Sequence, residues 1–192
     1  IDGDVVEAVC AIDLKERNEL PGNTVVSTVM CNLGFTKAMK DADIDVIQTQ
    51  VGDRYVLQQL REGGFVLGGE QSGHMIFLKH NSTGDGLVTA CQFVSACLRK
   101  GGTVSEVASV MQRFPQELIN VKVTDKHAVT DNSAVAQAIE AGNGELGDSG
   151  RILVRPSGTE PLVRVMVEAP THEQAHEVAA KIAQVIEAEL GA

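Results

Sequence analysis

Between residues 24 and 69 the sequence switches repeatedly between strand-like and helix-like spacing, and no other feature constrains the fold as much. Thr24 to Met30 is a β-branched apolar run of the length a buried strand needs. Leu33 to Asp43 carries Ala38, Met39 and Ala42 at helical spacing, and Ile44 to Gln50 is strand-like again. Arg54 to Glu62 then reads as a helix and Phe65 to Gly69 as a strand. Strands separated by helices lie parallel with right-handed crossovers, so a mixed, mostly parallel sheet with flanking helices is expected. Ahead of this block, Asp2 or Asp4 can cap a helix running from Asp4 to Arg17. Behind it come a short strand at Met75 to Leu78 and an apolar helix from Leu87 to Leu98, stopped by Lys100-Gly101-Gly102. The capping box Thr103-x-x-Glu106 then predicts a helix reaching Arg113.

Phe114-Pro115-Gln116 breaks the pattern, and the chain changes character there. The spacing predicts an alternating strand over Leu118 to Val123, a small-residue helix over Asn132 to Ala141, and strands over Arg151 to Arg155 and Leu162 to Glu168. A long helix follows from Thr171, with Gln174 completing its capping box and Ala175, Val178, Ala179, Ile182 and Ile186 as its apolar stripe. The expected organisation is therefore an α/β domain over 1–115 and a small α+β domain over 116–192. A chain of 192 residues has room for two cores, and 43% hydrophobic with 22% charged residues is the composition of a globular protein.

The formal net charge of -10 disfavours nucleic acid as a partner, because phosphate contacts need a basic face. No apolar run is long enough to span a bilayer, and no basic and then apolar segment opens the chain, so neither a membrane partner nor secretion is expected and a cytoplasmic location is. The four cysteines, Cys10, Cys31, Cys91 and Cys97, show no C-x-x-C spacing and are expected to be buried, reduced thiols. The chain opens Ile1-Asp2-Gly3-Asp4 without a methionine, which suggests a piece of a longer protein.

In an open parallel sheet, ligands bind beyond the carboxyl ends of the strands, so the loops after the predicted strands should be neighbours. One begins Val51-Gly52-Asp53-Arg54; another is Gly68-Gly69-Glu70-Gln71-Ser72-Gly73-His74. A carboxylate, a hydroxyl and an imidazole between glycines suit a polyhydroxylated ligand, although a tight turn with Glu70 and His74 in solvent accounts for the same residues. In the second domain, Arg155-Pro156-Ser157-Gly158-Thr159-Glu160-Pro161 offers a guanidinium fork, two hydroxyls and backbone N–H groups, with Arg164 on the next strand. That set makes a sensible anion cradle; the other reading is a proline-bounded hairpin with Arg155 packed on a carboxylate. Asp85, in Thr83-Gly84-Asp85-Gly86, reads as a helix cap. Asp2 and Asp4 supply too few oxygens for magnesium or calcium. His172-Glu173-Gln174-Ala175-His176 fits the zinc-peptidase motif H-E-x-x-H, but it occupies the first turn of the last helix. The downstream acids Glu187 and Glu189 lie too far along that helix to complete a site.

Taken together, Gly69-Glu70-Gln71-Ser72-Gly73-His74, Thr83-Gly84-Asp85-Gly86 and Arg155-Pro156-Ser157-Gly158-Thr159-Glu160-Pro161-Leu162-Val163-Arg164-Val165 resemble the bacterial phosphoglucosamine mutases of the α-D-phosphohexomutase superfamily, in order and in spacing. The resemblance covers the third and fourth of the family's four domains. It implies an isomerase that interconverts glucosamine 6-phosphate and glucosamine 1-phosphate through a bisphosphorylated sugar, in a step that feeds peptidoglycan precursor synthesis. The family's phosphoserine and its magnesium loop belong to the first two domains, and neither pattern occurs in this sequence. By resemblance, then, Mg2+ is a cofactor of the full-length enzyme with ligands outside this chain, and the 192-residue piece is expected to be inactive by itself. The resemblance further implies Arg155, Ser157, Gly158, Thr159 and Arg164 as phosphate-binding, Glu70 and Ser72 as sugar-binding, and His74 as a proton-transfer residue. The phosphomannomutase/phosphoglucomutase branch has a histidine where this chain has Asp53, which favours glucosamine and places Asp53 near its amino group. The partner implied is a small sugar phosphate, with a homodimer of the full-length enzyme in keeping with the family. A phosphomannomutase/phosphoglucomutase fragment and a non-catalytic sugar-phosphate binding module are the other readings.

Overall fold

Asp2 stands in extended conformation and its carboxylate accepts from the Val5 N–H at 3.2 Å, so Asp2 rather than Asp4 starts α1 (Gly3–Glu16). The computed structural model describes residues 1–192, which form two units, Ile1–Arg113 and Phe114–Ala192. In the first unit, β1 (Thr24–Thr28), α2 (Leu33–Asp41), β2 (Asp45–Thr49), α3 (Asp53–Gly63), β3 (Leu67–Gly69) and β4 (Met75–Phe77) follow one another as the alternating spacing predicts. The sheet order is β2-β1-β3-β4. β1 runs parallel to both neighbours, with Thr24 opposite Asp45 and Val26 opposite Gly68, while β4 returns antiparallel to β3.

Every residue of the central strand β1 is buried, and successive side chains leave it on opposite faces. Val25 packs with Ala8, Leu14, Phe35 and Met39 of α1 and α2. Val26 packs with Val56 and Leu60 of α3. Helices therefore cover both faces, which is why β1 reads as a continuous apolar run. The strand stops at Thr28, short of Met30, because Cys31 N–H turns back to the Thr28 carbonyl at 3.0 Å and brings Asn32 round to cap α2.

α4 (Gly86–Lys100) starts at Asp85, whose Oδ1 accepts from Leu87 and Val88 N–H at 2.9 and 3.0 Å. The Val88 N–H, then the Asn81 side chain, which donates to Asp85 Oδ2 at 3.1 Å, and the Leu87 N–H hold the Asp85 carboxyl below its ordinary range. Only one side of this apolar helix is buried: Ala96 and Cys97 face inward, while Leu87, Val94 and Leu98 are exposed. Cys91 is exposed as well, so the expectation of four buried thiols holds for Cys10, Cys31 and Cys97 and fails for Cys91. Burial pushes the Cys10 thiol up to about 12. The capping box Thr103–Glu106 forms, but α5 (Val104–Val107) ends after one turn and passes into a 3-10 turn instead of reaching Arg113. Val107 is its one buried residue, too little apolar surface to hold a longer helix against the sheet.

In the second unit, β5 (Gln116–Lys122), β7 (Leu162–Glu168) and β6 (Arg151–Pro156) make an antiparallel sheet in the order β5-β7-β6. α6 (Ser133–Leu146) and α7 (His172–Leu190) supply Val135, Leu146, Val178, Ile182 and Ile186 to a core shared with Val163, Val165 and Val167 of the central strand. α6 runs to Leu146 rather than stopping at Ala141, because buried Leu146 anchors its last turn. No helix in either unit is long and apolar enough to cross a membrane.

Candidate functional site

The loops at the carboxyl ends of β1, β2 and β3 meet. Glu70 follows β3, and its Oε1 accepts from the Gly52 N–H after β2 at 3.1 Å. Its backbone closes a turn, with Glu70 N–H on the His74 carbonyl at 3.0 Å and Gly73 N–H on the Glu70 carbonyl at 2.8 Å. The turn expected from the glycines is present, but Glu70 is not simply in solvent, since one carboxylate oxygen is fixed between two loops. His74 Nε2 lies 3.5 Å from Oδ2 of Asp53, the first residue of α3. Its ring packs so closely on Gly84 that any Cβ there would collide with the imidazole. Asp53, Glu70 and His74 are thus brought together, and Ser72 stands exposed at the tip of the same turn.

Beneath the turn lies a fastening that the sequence analysis missed. Asp4, fully buried, accepts through Oδ2 from the Asn32 N–H after β1 at 2.8 Å and from Gln71 Nε2 at 3.2 Å. Gly3 N–H bonds the Gln71 carbonyl at 3.0 Å, and a Cβ on Gly3 would strike the Glu70 and Gln71 carbonyls, so only glycine permits this approach. One turn on, Glu7 is buried, with Oε2 accepting from Ser27 Oγ at 3.1 Å and Oε1 without a partner. Burial, and then the neighbouring Asp4, push the Glu7 carboxyl well above its ordinary range. A signal was available: Asp4 and Glu7 share the helical face of Ala8, Ala11 and Leu14, and carboxylates on a buried stripe require partners.

In the second unit, Arg155 and Arg164 sit directly opposite each other on β6 and β7. Arg155 is partly buried and has no carboxylate partner, which removes the reading of a hairpin pinned by an Arg155 ion pair. Burial and then the adjacent Arg164 lower its pKa below the ordinary guanidinium range. Arg164 reaches Glu160 at 3.3 Å, and its Nε is buried without a partner. Two guanidiniums side by side with a single carboxylate leave surplus positive charge in an acidic chain, an arrangement that attracts an anion. Ser157 is buried: its N–H bonds the Leu162 carbonyl at 2.9 Å, and its hydroxyl accepts from the Glu160 N–H at 3.3 Å. Gly158 and Thr159 are exposed at the tip. Lys126, which the sequence analysis also missed, places Nζ 2.6 Å from the Ser157 carbonyl and 3.2 Å from that of Gly158.

His176 Nδ1 lies 3.2 Å from Glu117, and both motif histidines are exposed on the first turn of α7. No group of three or more His, Cys, Asp or Glu side chains is arranged so that it could hold a metal ion. Asp2 is committed to the α1 cap and lies 3.6 Å from Arg113.

Residues 2–114 match the phosphoglucomutase/phosphomannomutase α/β/α domain III, and residues 118–185 match the C-terminal domain of the same family. The phosphoglucosamine mutase of Bacillus licheniformis is 55% identical over 192 residues, all of this chain and 43% of that protein. That of Thermobifida fusca is 52% identical over 190 residues, 99% of this chain and 42% of its own length. The chain thus spans under half the length of these relatives. Among solved structures, Aspergillus fumigatus N-acetylphosphoglucosamine mutase, determined with GlcNAc-6P and magnesium, superposes on 96% of this chain and 46% of its own, with a TM-score of 0.78 at 21% identity. The fold, the loop arrangement and two consecutive domain matches lead to one conclusion: the chain belongs to the phosphoglucomutase/phosphomannomutase family.

Proposed function

We propose that this chain is the sugar- and phosphate-recognising part of a bacterial phosphoglucosamine mutase, interconverting glucosamine 6-phosphate and glucosamine 1-phosphate in the cytoplasm ahead of peptidoglycan precursor synthesis. The observation that carries the reading is Arg155, a partly buried guanidinium with no carboxylate partner, facing Arg164 at the mouth of a Ser-Gly-Thr turn. Identities of 52–55% to phosphoglucosamine mutases support the choice of substrate. A sugar bisphosphate that turns over between two phosphoryl transfers needs one fixed cradle for the phosphate not being transferred. Arg155, Ser157, Gly158, Thr159 and Arg164 form it in this reading, Arg155 through its planar fork and Ser157 by shaping the turn.

Glu70, with one oxygen tied to Gly52, accepts sugar hydroxyls through the other, and Ser72 donates or accepts beside it. Asp53 faces the protonated amino group, and His74, held between Asp53 and Gly84, exchanges a proton with the reacting hydroxyl. In this reading magnesium would neutralise charge on the transferring phosphoryl group of the full-length enzyme, with ligands supplied from outside this chain. A homodimer of the full-length enzyme remains part of the same reading.

Comparison of two sugars on one variant tests the amine assignment. Asp53→Asn should weaken glucosamine 6-phosphate binding by about tenfold while leaving glucose 6-phosphate unchanged, since only the former carries a charged amino group. Equal losses for both sugars, measured by calorimetry, would remove Asp53 from the amine site and return the phosphomannomutase/phosphoglucomutase reading to the front.

A further inference from the structure

Lys126 lies outside every motif in the chain, yet its ammonium touches the phosphate-loop backbone at two successive carbonyls, Ser157 at 2.6 Å and Gly158 at 3.2 Å. All peptide bonds in the chain are trans, and in a trans peptide the C=O and the N–H of the same plane point in opposite directions. The plane that carries the Ser157 carbonyl also carries the Gly158 N–H; the plane that carries the Gly158 carbonyl carries the Thr159 N–H. With both carbonyls drawn to Lys126, both N–H groups must face away from it. Neither has a hydrogen-bond partner within the chain, whereas the flanking N–H groups of Ser157 and Glu160 are both satisfied, by the Leu162 carbonyl and by Ser157 Oγ. Two adjacent, unpaired, co-directed backbone donors make the kind of concavity that takes an oxyanion.

We infer that Lys126 is a positioning residue of the phosphate cradle: it fixes the orientation of the 157–158 and 158–159 peptide planes so that the Gly158 and Thr159 N–H groups present themselves as a pair of donors to a phosphate. It does this without touching the phosphate, and its positive charge, bonded to the carbonyl ends, polarises the same two peptides and strengthens their N–H donors. The inference rests on the proposed phosphate-binding role of residues 155–159, and it adds a residue from a different segment of the unit, the stretch between β5 and α6. A neutral side chain of the same length would leave both planes free to turn over, because the loop tip is exposed and nothing else grips those carbonyls.

The test is a titration of the whole 192-residue chain with inorganic phosphate, followed by backbone amide NMR. In the wild type, the Gly158 and Thr159 amide protons should move downfield together as phosphate binds. In Lys126→Met, affinity should fall about tenfold and those two shifts should be lost, whereas Lys126→Arg, which can still donate to both carbonyls, should keep most of each. Undisturbed amide shifts for Val163, Val165 and Val167 show that each variant keeps the core of the second unit. If the wild-type loop responds at Arg155 while the Gly158 and Thr159 amides stay still, or if Lys126→Met binds phosphate as the wild type does, the role given to Lys126 is wrong and the cradle stands. If no residue from 155 to 159 responds in the wild type, the cradle itself is wrong, and the role of Lys126 falls with it.

Discussion

Glu7 shows how a single buried residue sets conditions on the loops above it. Burial and the nearby Asp4 raise its pKa well above 4.5, so the folded chain keeps the proton over a pH range where the unfolded chain has released it. Below about pH 4.5 both states are protonated and the site costs nothing extra; as pH rises from there, stability falls, until the folded carboxyl also ionises. Glu7→Gln, which keeps the bond to Ser27, should abolish that decline and stabilise the first unit at pH 7 to 8 but not at pH 4. While the folded site holds its proton, the difference should grow by up to about 1.4 kcal/mol per pH unit. Denaturation of the two chains across this range, read at first-unit residues, checks it, and parallel profiles would contradict it. At this scale the sequence pointed to the loops where Glu70 and His74 come together with Asp53 and where Arg155 stands opposite Arg164. It was silent on Lys126, because nothing in its neighbours, Asp125 and His127, signals that its side chain reaches a loop some thirty residues away.

Among the elements, strands and helices with a continuous apolar stripe were legible almost to the residue: β7 spans Leu162–Glu168 as its spacing indicates, and α7 begins behind Thr171. Elements that depend on tertiary support were not. The capping box at Thr103 marks where α5 starts but cannot say that a single buried valine holds it, and α6 continues past Ala141 because Leu146 finds the core. Between β6 and β7, Arg151 stands opposite Glu168 and bonds it at 3.1 Å through Nε and Nη2, with Glu168 fully buried. The pair closes the far end of the strand pair that carries Arg155 and Arg164, so it holds the register on which their side-by-side placement depends. Arg151→Met should destabilise the second unit by about 3 kcal/mol, since it strips a buried carboxylate of its charged partner. A loss below about 1 kcal/mol in urea denaturation would put the pair among exposed ion pairs that contribute little.

At the scale of the whole molecule, each unit carries its own cluster of polar side chains. The first gathers Asp53, Glu70 and His74 over the carboxyl ends of parallel strands; the second gathers Arg155, Arg164 and an open loop tip over an antiparallel pair. The alternation of spacing disclosed the first sheet and the glycine-bounded loop after β3 disclosed its polar groups. The fastening through Asp4 and Gly3 stayed hidden, because it joins the start of the chain to residues 32 and 71. In the proposed function, the first cluster recognises the sugar and the second the phosphate of a sugar phosphate. Amide NMR of the chain titrated with glucosamine 6-phosphate tests it most directly. Millimolar affinity is predicted, about 4 kcal/mol, with shifts centred on residues 53, 70–74 and 155–159 and loss of most binding in Arg155→Ala. The absence of shifts at all of these residues with ligand in the tens of millimolar, or binding that survives Arg155→Ala undiminished, would contradict it.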